Sequence, residues 1–403
     1  MLPTMPSASR LMHVMLHVAD VDATLAFYRA LGMRVQVDRS DAASGRRNLF
    51  LGYGPEASQT LIEIASPSNA AQPGFGHIAL QAPDVIGLCT RLAALGIAIE
   101  REPRTLGSGT IAAFVTDPDG HRIELVQPAG TGVTRRTVAH DGLDFAVLDG
   151  GGDRPALLLL HGGASRADHF TELMAALQPD FRSIAYDQRG FAGTGAAADT
   201  VVDHAHWASD VPAMLDALGI DRAVLLGWSM GASVAINAAS QWPDRVAAIV
   251  LLGAPDPRYG VDVAKLRKRQ AESDAMTPAE RRARDWAHLE QALGAGARRD
   301  EPLIERLLLE RAATPPALSA HTVEGYATRP DLTAILPRLA CPVHLLAGAE
   351  DTICPPASGE MIRSFRPEAT LDVVPDCGHY YALERPGAVA RLILQRLDGA
   401  NAP

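Results

Sequence analysis

A serine flanked by glycines stands where an apolar run gives way to small residues. Residues 224–226 are apolar and β-prone, Ser229 lies between Gly227 and Gly231, and a run of small, helix-forming residues follows. In a G-x-S-x-G turn from strand to helix the serine hydroxyl is lifted out of the sheet, and the tight backbone leaves no room for Cβ atoms at the flanking positions. Ser229 is therefore a candidate nucleophile.

A nucleophilic serine needs a base within reach and an acid that holds the tautomer of that base. Asp351 and His379 lie downstream, each after an apolar, strand-like run. Asp256 also follows such a run and is a rival for the role of the acid. We favour Asp351, because its loop faces the histidine loop in a sheet with this chain order.

Two histidines and two glutamates form a second set of candidates, and an internal repeat relates them. Residues 13–35 align with residues 77–99 without gaps, and seven paired positions are identical: His13/His77, Leu16/Leu80, Asp20/Asp84, Val21/Val85, Ala30/Ala94, Leu31/Leu95 and Gly32/Gly96. His13 and His77 fall on equivalent first strands, and Glu63 and Glu124 on equivalent last strands. Such nitrogen and oxygen donors suit a divalent transition metal such as Ni, Co, Zn or Fe. A single histidine would be a sheet residue, whereas four repeat-equivalent groups favour metal binding.

The repeat also predicts the elements that position these groups. Each copy has an apolar strand, an aspartate as N-cap, a helix closed by glycine and three further strand-like runs. The later runs are residues 33–38, 47–52 and 60–65 in the first copy and 97–101, 110–116 and 121–127 in the second. We predict an α+β domain of two βαβββ repeats over residues 10–128, after a tail at 1–9.

A second fold follows a linker at 129–133. Residues 134–140 and 143–148 read as a hairpin, and from Ala156 buried strands alternate with helices, as in a doubly wound α/β sheet. This domain spans 134–399. Between residues 257 and 339 the alternation lapses, which predicts a helical insertion acting as a lid. Thr277-Pro278-Ala279-Glu280 is a capping box that opens one of its helices.

Residues 10–128 resemble bacterial glyoxalase I (lactoylglutathione lyase) in the vicinal oxygen chelate superfamily. The stretches that carry the resemblance are Arg10-Leu11-Met12-His13, Gly52-Tyr53-Gly54-Pro55-Glu56, Leu61-Ile62-Glu63, Gly76-His77-Ile78-Ala79-Leu80, Asp117-Pro118-Asp119-Gly120 and Arg122-Ile123-Glu124-Leu125. The resemblance implies that His13, Glu63, His77 and Glu124 bind the metal, between the halves of two chains in a homodimer. We expect Ni or Co to be favoured, with Zn possible. The resemblance also implies that Glu124 acts as a base, moving a proton from C1 to C2 of a thiohemiacetal.

The chain departs from that family where glutathione would be held. His17, Pro67 and Leu106 stand where arginine, asparagine and lysine are expected. The cosubstrate is therefore open between glutathione and another thiol. Three arginines are either substitute anion contacts or exposed loop residues: Arg46, Arg47 and Arg104.

Residues 134–399 resemble α/β-hydrolases of the esterase, haloperoxidase and lactonase type. The matching stretches are His161-Gly162-Gly163, Asp187-Gln188-Arg189-Gly190, residues 227–231, residues 348–355 and Gly378-His379. The resemblance implies Ser229 as nucleophile, His379 as general acid and base, and Asp351 as the residue that orients it. It also implies an oxyanion hole formed by the backbone N–H groups of Gly163 and Met230.

Composition restricts the partners and the compartment. The 403 residues are 47% hydrophobic and 21% charged, which is typical of globular domains, and the net charge of -10 argues against nucleic acid or an anionic membrane as partner. We expect small soluble ligands. No signal peptide or membrane-spanning run is evident, and the four cysteines lack metal or disulfide spacing, so we expect a cytoplasmic protein with structural thiols.

Three functions fit these observations. The first is a bifunctional enzyme that isomerises a 2-oxoaldehyde thiohemiacetal to a 2-hydroxyacyl thioester and hydrolyses that thioester at Ser229. The second is a serine esterase or lactonase acting on an unrelated ester, fused to a metal-dependent isomerase or dioxygenase-like domain. The third is a serine hydrolase fused to a non-catalytic ligand-binding or dimerisation module.

Overall fold

The computed structural model describes residues 10–30, 34–41, 43–52, 60–66, 74–94, 96–116, 121–194, 202–258, 262–312 and 323–398. The chain divides into two compact units, residues 1–132 (the N-terminal unit) and residues 133–403 (the C-terminal unit). The division falls inside the stretch 129–133 that the sequence predicts as a linker. Each unit contains its own eight-stranded sheet.

The N-terminal unit is built from two copies of one supersecondary motif. The first copy contains β1 (Arg10–His17), α1 (Val21–Ala30), β2 (Arg34–Asp38), β3 (Asn48–Gly52) and β4 (Leu61–Ala65). The second contains β5 (Gly74–Gln81), α2 (Val85–Ala94), β6 (Ile99–Thr105), β7 (Ile111–Thr116) and β8 (Arg122–Gln127). The strand order β2-β3-β4-β1-β5-β8-β7-β6 joins both copies in one sheet. This confirms the prediction of two βαβββ repeats.

The predicted helix caps are also present. Asp20 accepts hydrogen bonds from the N–H groups of Asp22 and Ala23 at 2.9 and 3.0 Å, and Asp84 accepts one from Gly87 at 2.9 Å. These bonds satisfy N–H groups of the first turn that have no partner inside the helix. Gly32, the predicted end of α1, lies outside the described residues.

One strand differs from its prediction. We expect a strand at 97–101 that ends before Pro103, whereas β6 extends to Thr105. The strand lies at the edge of the sheet, and its register with β7 shifts between Ile99 and Arg101 and again between Arg101 and Arg104. An irregular edge strand tolerates proline, because one of its sides has no partner strand to which an N–H must donate.

The C-terminal unit is a mostly parallel sheet with helices on both faces. Its strands are β9 (Thr134–His140), β10 (Leu143–Asp149), β11 (Ala156–Leu160), β12 (Arg182–Tyr186), β13 (Ala223–Trp228), β14 (Val246–Leu252), β15 (Val343–Gly348) and β16 (Thr370–Val374), in the order β16-β15-β14-β13-β11-β12-β10-β9. Its helices are α3 (Thr171–Leu177), α4 (His204–Ala217), α5 (Met230–Gln241), α6 (Val263–Ala275), α7 (Pro278–Ala292), α8 (Glu301–Ala312), α9 (Leu332–Ile335), α10 (Pro356–Phe365), α11 (Tyr381–Glu384) and α12 (Pro386–Asp398). The β9–β10 hairpin is antiparallel, as predicted.

Burial on both faces explains the uninterrupted apolar strands. Leu158 and Leu160 of β11 belong to one core cluster and Leu157 and Leu159 to a second, and all four are fully buried. A strand with helices on both sides therefore has no polar face.

Helices occupy the described part of the helical insertion, residues 257–339. Thr277 caps α7 with Pro278 at its first position, and Thr277 and Glu280 make both bonds of the predicted capping box. The amphipathic face of α7 buries Leu289, whereas Trp286 is 42% exposed. Among the described helices of the chain, none has the length and apolar character needed to cross a bilayer.

Candidate functional site

Four neighbouring central strands of the N-terminal sheet bring its candidate ligands to one face. Glu63 lies on β4, His13 on β1, His77 on β5 and Glu124 on β8. In the register His13 is opposite Ala79, which is opposite Glu124, and Met15 is opposite both Glu63 and His77. Residues directly opposite one another, or two positions apart on a strand, share a face. All four side chains therefore lie on the same side of the sheet.

Their donor atoms converge. His13 Nε2 lies 2.8 Å from a carboxylate oxygen of Glu63 and 3.3 Å from His77 Nε2, and His77 Nε2 lies 3.0 Å from Glu124. Ligand atoms of His13, His77 and Glu124 all lie within 4.8 Å of one another, and Glu63 joins this cluster through His13. Two imidazoles whose Nε2 atoms face each other between carboxylates form a donor set that suits a divalent transition metal.

Burial and charge shape the titration of this cluster. Burial alone would lower the pKa of His13, but its hydrogen bonds with Glu124 and Glu63 raise that pKa to about 9. Burial would raise the pKa of Glu124, but its bonds with His13 and His77 lower that pKa to about 2. The pKa of Glu63 is lowered in the same way by its bond with His13, so both carboxylates are ionised at neutral pH, as metal ligands must be, and His13 loses a proton when a metal binds.

In this structure the four side chains meet within one chain. The reason is that β1 pairs antiparallel with β5, which joins the two repeats of a single chain edge to edge. The site between two chains that the resemblance implies stays a prediction.

Aromatic rings repeat the symmetry of the ligands. His13 meets Phe50 edge to face at a centroid distance of 5.3 Å, and His77 meets Phe114 in the same way at 5.7 Å. Phe50 lies opposite Glu63 and Phe114 opposite Glu124 in the sheet. The rings fix the imidazole planes from equivalent positions of the two repeats. Neither ring was predicted from the sequence, although their equivalent places before the last strand of each repeat were a usable signal.

Three arginines, Arg46, Arg47 and Arg104, are the candidates that could replace the missing anion contacts of the thiol cosubstrate, and not all of them are free to do so. Arg47 pairs with Asp22 at 2.7 Å, which commits its guanidinium to a carboxylate of the chain. Arg46 and Arg104 are exposed, Pro67 lies outside the described residues, and Leu106 is half-buried.

In the C-terminal unit, the turn at Ser229 has the strained backbone that the glycine pattern predicts. Ser229 has φ 54° and ψ -115°, and it lies between the end of β13 and the start of α5. A Cβ atom at Gly227 would lie 2.3 Å from the carbonyl oxygen of Gly231, and one at Gly231 would lie 2.1 Å from that of Leu160. Both distances are far below van der Waals contact, so both positions require glycine.

The structure places His379 against Asp351. His379 Nδ1 donates to Asp351 Oδ2 at 2.8 Å, and both side chains are buried. Since Nδ1 carries the proton, Nε2 keeps its lone pair and can accept a proton from a hydroxyl. Trp228, which precedes Ser229, donates its indole N–H to the carbonyl oxygen of His379 at 2.7 Å. This bond ties the histidine loop to the strand end that carries the serine.

Four hydrogen bonds hold the Asp351 carboxylate. Its Oδ1 accepts from the N–H groups of Ile353 and Cys354, both at 2.8 Å, and its Oδ2 also accepts from the Tyr381 hydroxyl at 2.9 Å. The rival Asp256 instead pairs with Arg258 at 2.8 Å on the protein surface. Of the two aspartates, only Asp351 bonds to His379.

The loop after β11 lies beside the serine. A Cβ atom at Gly162 would be 3.3 Å from Ser229 Cβ. His161 holds this loop, because its Nδ1 donates to the Gly162 carbonyl at 2.7 Å and its Nε2 accepts from the Gln188 N–H at 2.9 Å. Burial lowers the pKa of His161 to about 3, so its ring is neutral and structural. Gly163 follows in this loop, and Met230 is the first residue of α5, where N–H groups have no partner inside the helix.

The helical insertion packs against the histidine loop. The N–H of His379 donates to the carbonyl of Ala292 at 2.6 Å, and the Glu384 carboxylate accepts from the N–H groups of Gly294, Gly378 and Tyr380. Neither Glu384 nor Tyr381 was expected from the sequence. The only signal for Tyr381 was its place two residues after His379.

Two family models match the chain. The model described as "alpha/beta hydrolase fold" matches residues 155–386, and that of the "Glyoxalase/Bleomycin resistance protein/Dioxygenase superfamily" matches residues 10–125.

Individual relatives match one unit or the other. A probable lactoylglutathione lyase of Synechocystis is 40% identical over 124 residues, which are 29% of this chain and 94% of that protein. A lactoylglutathione lyase of Arabidopsis thaliana is 37% identical over 128 residues, but this chain spans only 45% of its length. A thermophilic esterase of Thermogutta terrifontis matches with a TM-score of 0.60 and 28% identity, over 67% of this chain and 100% of its own.

Proposed function

Because the chain belongs to the Glyoxalase/Bleomycin resistance protein/Dioxygenase superfamily in its N-terminal unit and to the alpha/beta hydrolase fold family in its C-terminal unit, we propose that it is a bifunctional enzyme. The N-terminal unit isomerises the thiohemiacetal of a 2-oxoaldehyde and a thiol to a 2-hydroxyacyl thioester. The C-terminal unit hydrolyses that thioester to the 2-hydroxy acid and the free thiol. The observation that carries the proposal is that one chain holds both a four-donor cluster and a buried aspartate–histidine pair whose loop is hydrogen-bonded to Trp228, the residue before a strained serine.

In the first reaction the protein moves one carbon-bound proton. His13, Glu63, His77 and Glu124 would hold a divalent metal, which when bound supplies Lewis-acid polarisation of the two vicinal substrate oxygens. The Glu124 carboxylate takes the proton from C1 of the thiohemiacetal and returns it to C2, while the hydroxyl proton of the substrate passes from the C1 oxygen to the C2 oxygen. The reaction is an internal redox isomerisation, so no external oxidant or reductant is consumed.

In the second reaction Ser229 Oγ attacks the thioester carbonyl while His379 Nε2 takes the hydroxyl proton. The proton then passes to the departing thiol sulfur, and water hydrolyses the acyl-serine by the same route. Asp351 keeps His379 in the tautomer that both steps require. The N–H groups of Gly163 and Met230 stabilise the oxyanion, and losing one such donor typically costs about 10² to 10³ in kcat.

The test supplies methylglyoxal with glutathione, and in parallel with other small thiols, and follows thioester and free thiol over time. Wild type should form thioester only transiently. Ser229→Ala should accumulate it, and Glu124→Gln or a chelator should prevent its formation. If wild type neither makes nor consumes thioester with any thiol, the two-step proposal is wrong.

A second candidate is supported by the similarity to the Thermogutta terrifontis esterase, which covers the whole length of that protein. In this case Ser229 hydrolyses an unrelated carboxylic ester and the N-terminal unit acts separately. Rapid, Ser229-dependent hydrolysis of p-nitrophenyl esters combined with no cleavage of 2-hydroxyacyl thioesters would favour it. Dimerisation through the N-terminal unit stays a prediction, which the mass of the protein in solution tests.

A further inference from the structure

Two consecutive residues of α8, in the helical insertion, contact the two loops that flank Ser229. Glu310 accepts a hydrogen bond from His169 Nε2 at 2.6 Å, and Arg311 donates to the Tyr380 hydroxyl at 2.8 Å. His169 follows the loop that contains Gly163, and Tyr380 follows His379. One turn of α8 thus reaches both catalytic loops.

The hydrogen bond between Glu310 and His169 is extended by a second one, between His169 and the loop that contains Gly163. Ser165, two residues after Gly163, lies with its Oγ 2.7 Å from His169 Nδ1. The Glu310 carboxylate can only accept, so His169 Nε2 carries a proton. Burial lowers the pKa of His169, so its Nδ1 is unprotonated and accepts from the Ser165 hydroxyl. Ser165, His169 and Glu310 therefore form one directed hydrogen-bond chain, here called the Ser165 chain.

The charges around the Ser165 chain hold it in place. Arg306 donates to the other oxygen of Glu310 at 3.0 Å from one turn earlier in α8. Arg311 also approaches Asp285 of α7 at 3.7 Å. The carboxylate of Glu310 is therefore bound by His169 on one oxygen and by Arg306 on the other, which fixes its direction.

The space between these residues is too small for a substrate. Ala164, His169, Leu307, Arg311 and Tyr380 are among the walls of a cavity of about 10 Å³, roughly the size that one water molecule needs. Ser165 is 7% exposed. The Ser165 chain resembles a Ser-His-Glu triad in its bonding, but the cavity that the described residues leave beside His169 is too small for an acyl group, so its residues act through the loops.

We propose that α8 positions the oxyanion loop, because Glu310 sets that loop through His169 and Ser165. This inference rests on the proposed serine-hydrolase function. These are positioning residues, so their loss should lower kcat and leave KM nearly unchanged. A displacement of a fraction of an ångström at Gly163 is enough for a roughly tenfold loss.

The experiment uses the full chain with p-nitrophenyl acetate as probe and compares Ser165→Ala, Glu310→Gln and the double variant. We expect each single variant to lower kcat about 10-fold with KM within about 2-fold. The double variant should be no slower than the slower single one, because His169 links Ser165 to Glu310 in one hydrogen-bond chain. Glu305→Gln is the matched control, since Glu305 also lies on α8 and pairs with Arg282 at 2.6 Å on the exposed face.

Multiplicative losses in the double variant, or a change confined to KM, would overturn the inference. So would labelling of Ser165 by an organophosphate in Ser229→Ala, because that would make Ser165 a nucleophile. Amide hydrogen exchange gives a readout that needs no activity. Exchange in residues 161–166 should rise in Glu310→Gln but not in Glu305→Gln. Equal exchange in both variants would contradict the positioning role of Glu310, even if the protein were inactive. Failure of the proposed function would instead appear as wild type and Ser229→Ala having equal activity.

Discussion

Replacing Asp351 by asparagine should move the ring proton of His379 from Nδ1 to Nε2 without changing the shape of the site. The N–H groups of Ile353 and Cys354 both donate to Oδ1, so the amide oxygen of asparagine must occupy that place. The amide NH₂ then faces His379, where Oδ2 now accepts. A donor at this position selects the tautomer of His379 in which Nδ1 accepts and Nε2 carries the proton. That Nε2 can no longer take the proton of Ser229.

The size of the effect follows from this loss of the base. A wrong histidine tautomer in a serine triad typically lowers kcat by about 10⁴, which corresponds to roughly 5 kcal/mol of transition-state stabilisation. The fold should survive, because the two backbone bonds to Oδ1 are kept and the amide can donate to the Tyr381 hydroxyl. We therefore expect a large loss of kcat with a thermal midpoint close to that of wild type.

The assay is steady-state hydrolysis of p-nitrophenyl acetate, with thermal unfolding measured on the same samples. Asp256→Asn is the matched control, since it is the same chemical change at the rival acid, which pairs with Arg258. We expect it to change kcat by less than about 3-fold, as is usual for a residue outside the reacting groups. If Asp256→Asn abolishes hydrolysis and Asp351→Asn does not, the assignment of the acid is wrong.

Three further predictions concern the metal cluster, the serine turn and a buried histidine. Glu63→Gln should weaken Co²⁺ binding to the metal-free protein by about 10-fold or more in calorimetric titration. The control Glu100→Gln, which removes an exposed partner of Arg122, should leave the Co²⁺ affinity unchanged. Equal affinities of the two variants would remove Glu63 from the ligand set. Gly231→Ala should lower the free energy of unfolding by about 1–3 kcal/mol or more, because its Cβ would lie 2.1 Å from a backbone oxygen. The control Gly387→Ala lies in α12 with open space around it, so it should raise the free energy of unfolding by about 0.5–1 kcal/mol. Urea unfolding measures both, and a neutral Gly231→Ala would refute the close approach. The pKa of His161 is about 3 in the folded protein and 6.5 in the unfolded chain. The contribution of the neutral ring to stability is therefore fully present above pH 6.5. It is lost as the pH falls towards 3, at about 1.4 kcal/mol per pH unit. In His161→Gln the urea midpoint should fall less between pH 7 and pH 5 than in wild type, and parallel curves would contradict the buried neutral ring.

Local features were predicted from the sequence because neighbouring residues determine them. The capping box at Thr277 and the N-caps at Asp20 and Asp84 satisfy N–H groups two or three positions away. The glycines around Ser229 follow from the sharpness of one turn. Strand boundaries were close for the same reason, and they deviated at β6, where the edge of the sheet tolerates Pro103.

The repeat and the chain order carried information of longer range. Duplication placed His13 and His77 on equivalent strands, and order along the chain nominated Asp351 and His379. The chain order favoured Asp351 as the acid but left Asp256 open as its rival. Asp351 and Asp256 both follow strands, and the bond to His379 exists at Asp351 because the loops after β15 and β16 are adjacent in the sheet.

Only the tertiary structure decided how distant groups meet. The pairing of β1 with β5 brings all four metal-ligand candidates, from both repeats, to one place. The contact of His169 with Glu310 joins residues 141 positions apart, and no local pattern in the helical insertion predicts it. Sequence patterns determine what each segment forms, since local propensity and burial act over a few residues. Which segments lie side by side is determined by the packing of the whole chain, and that packing sets the chemistry of each site.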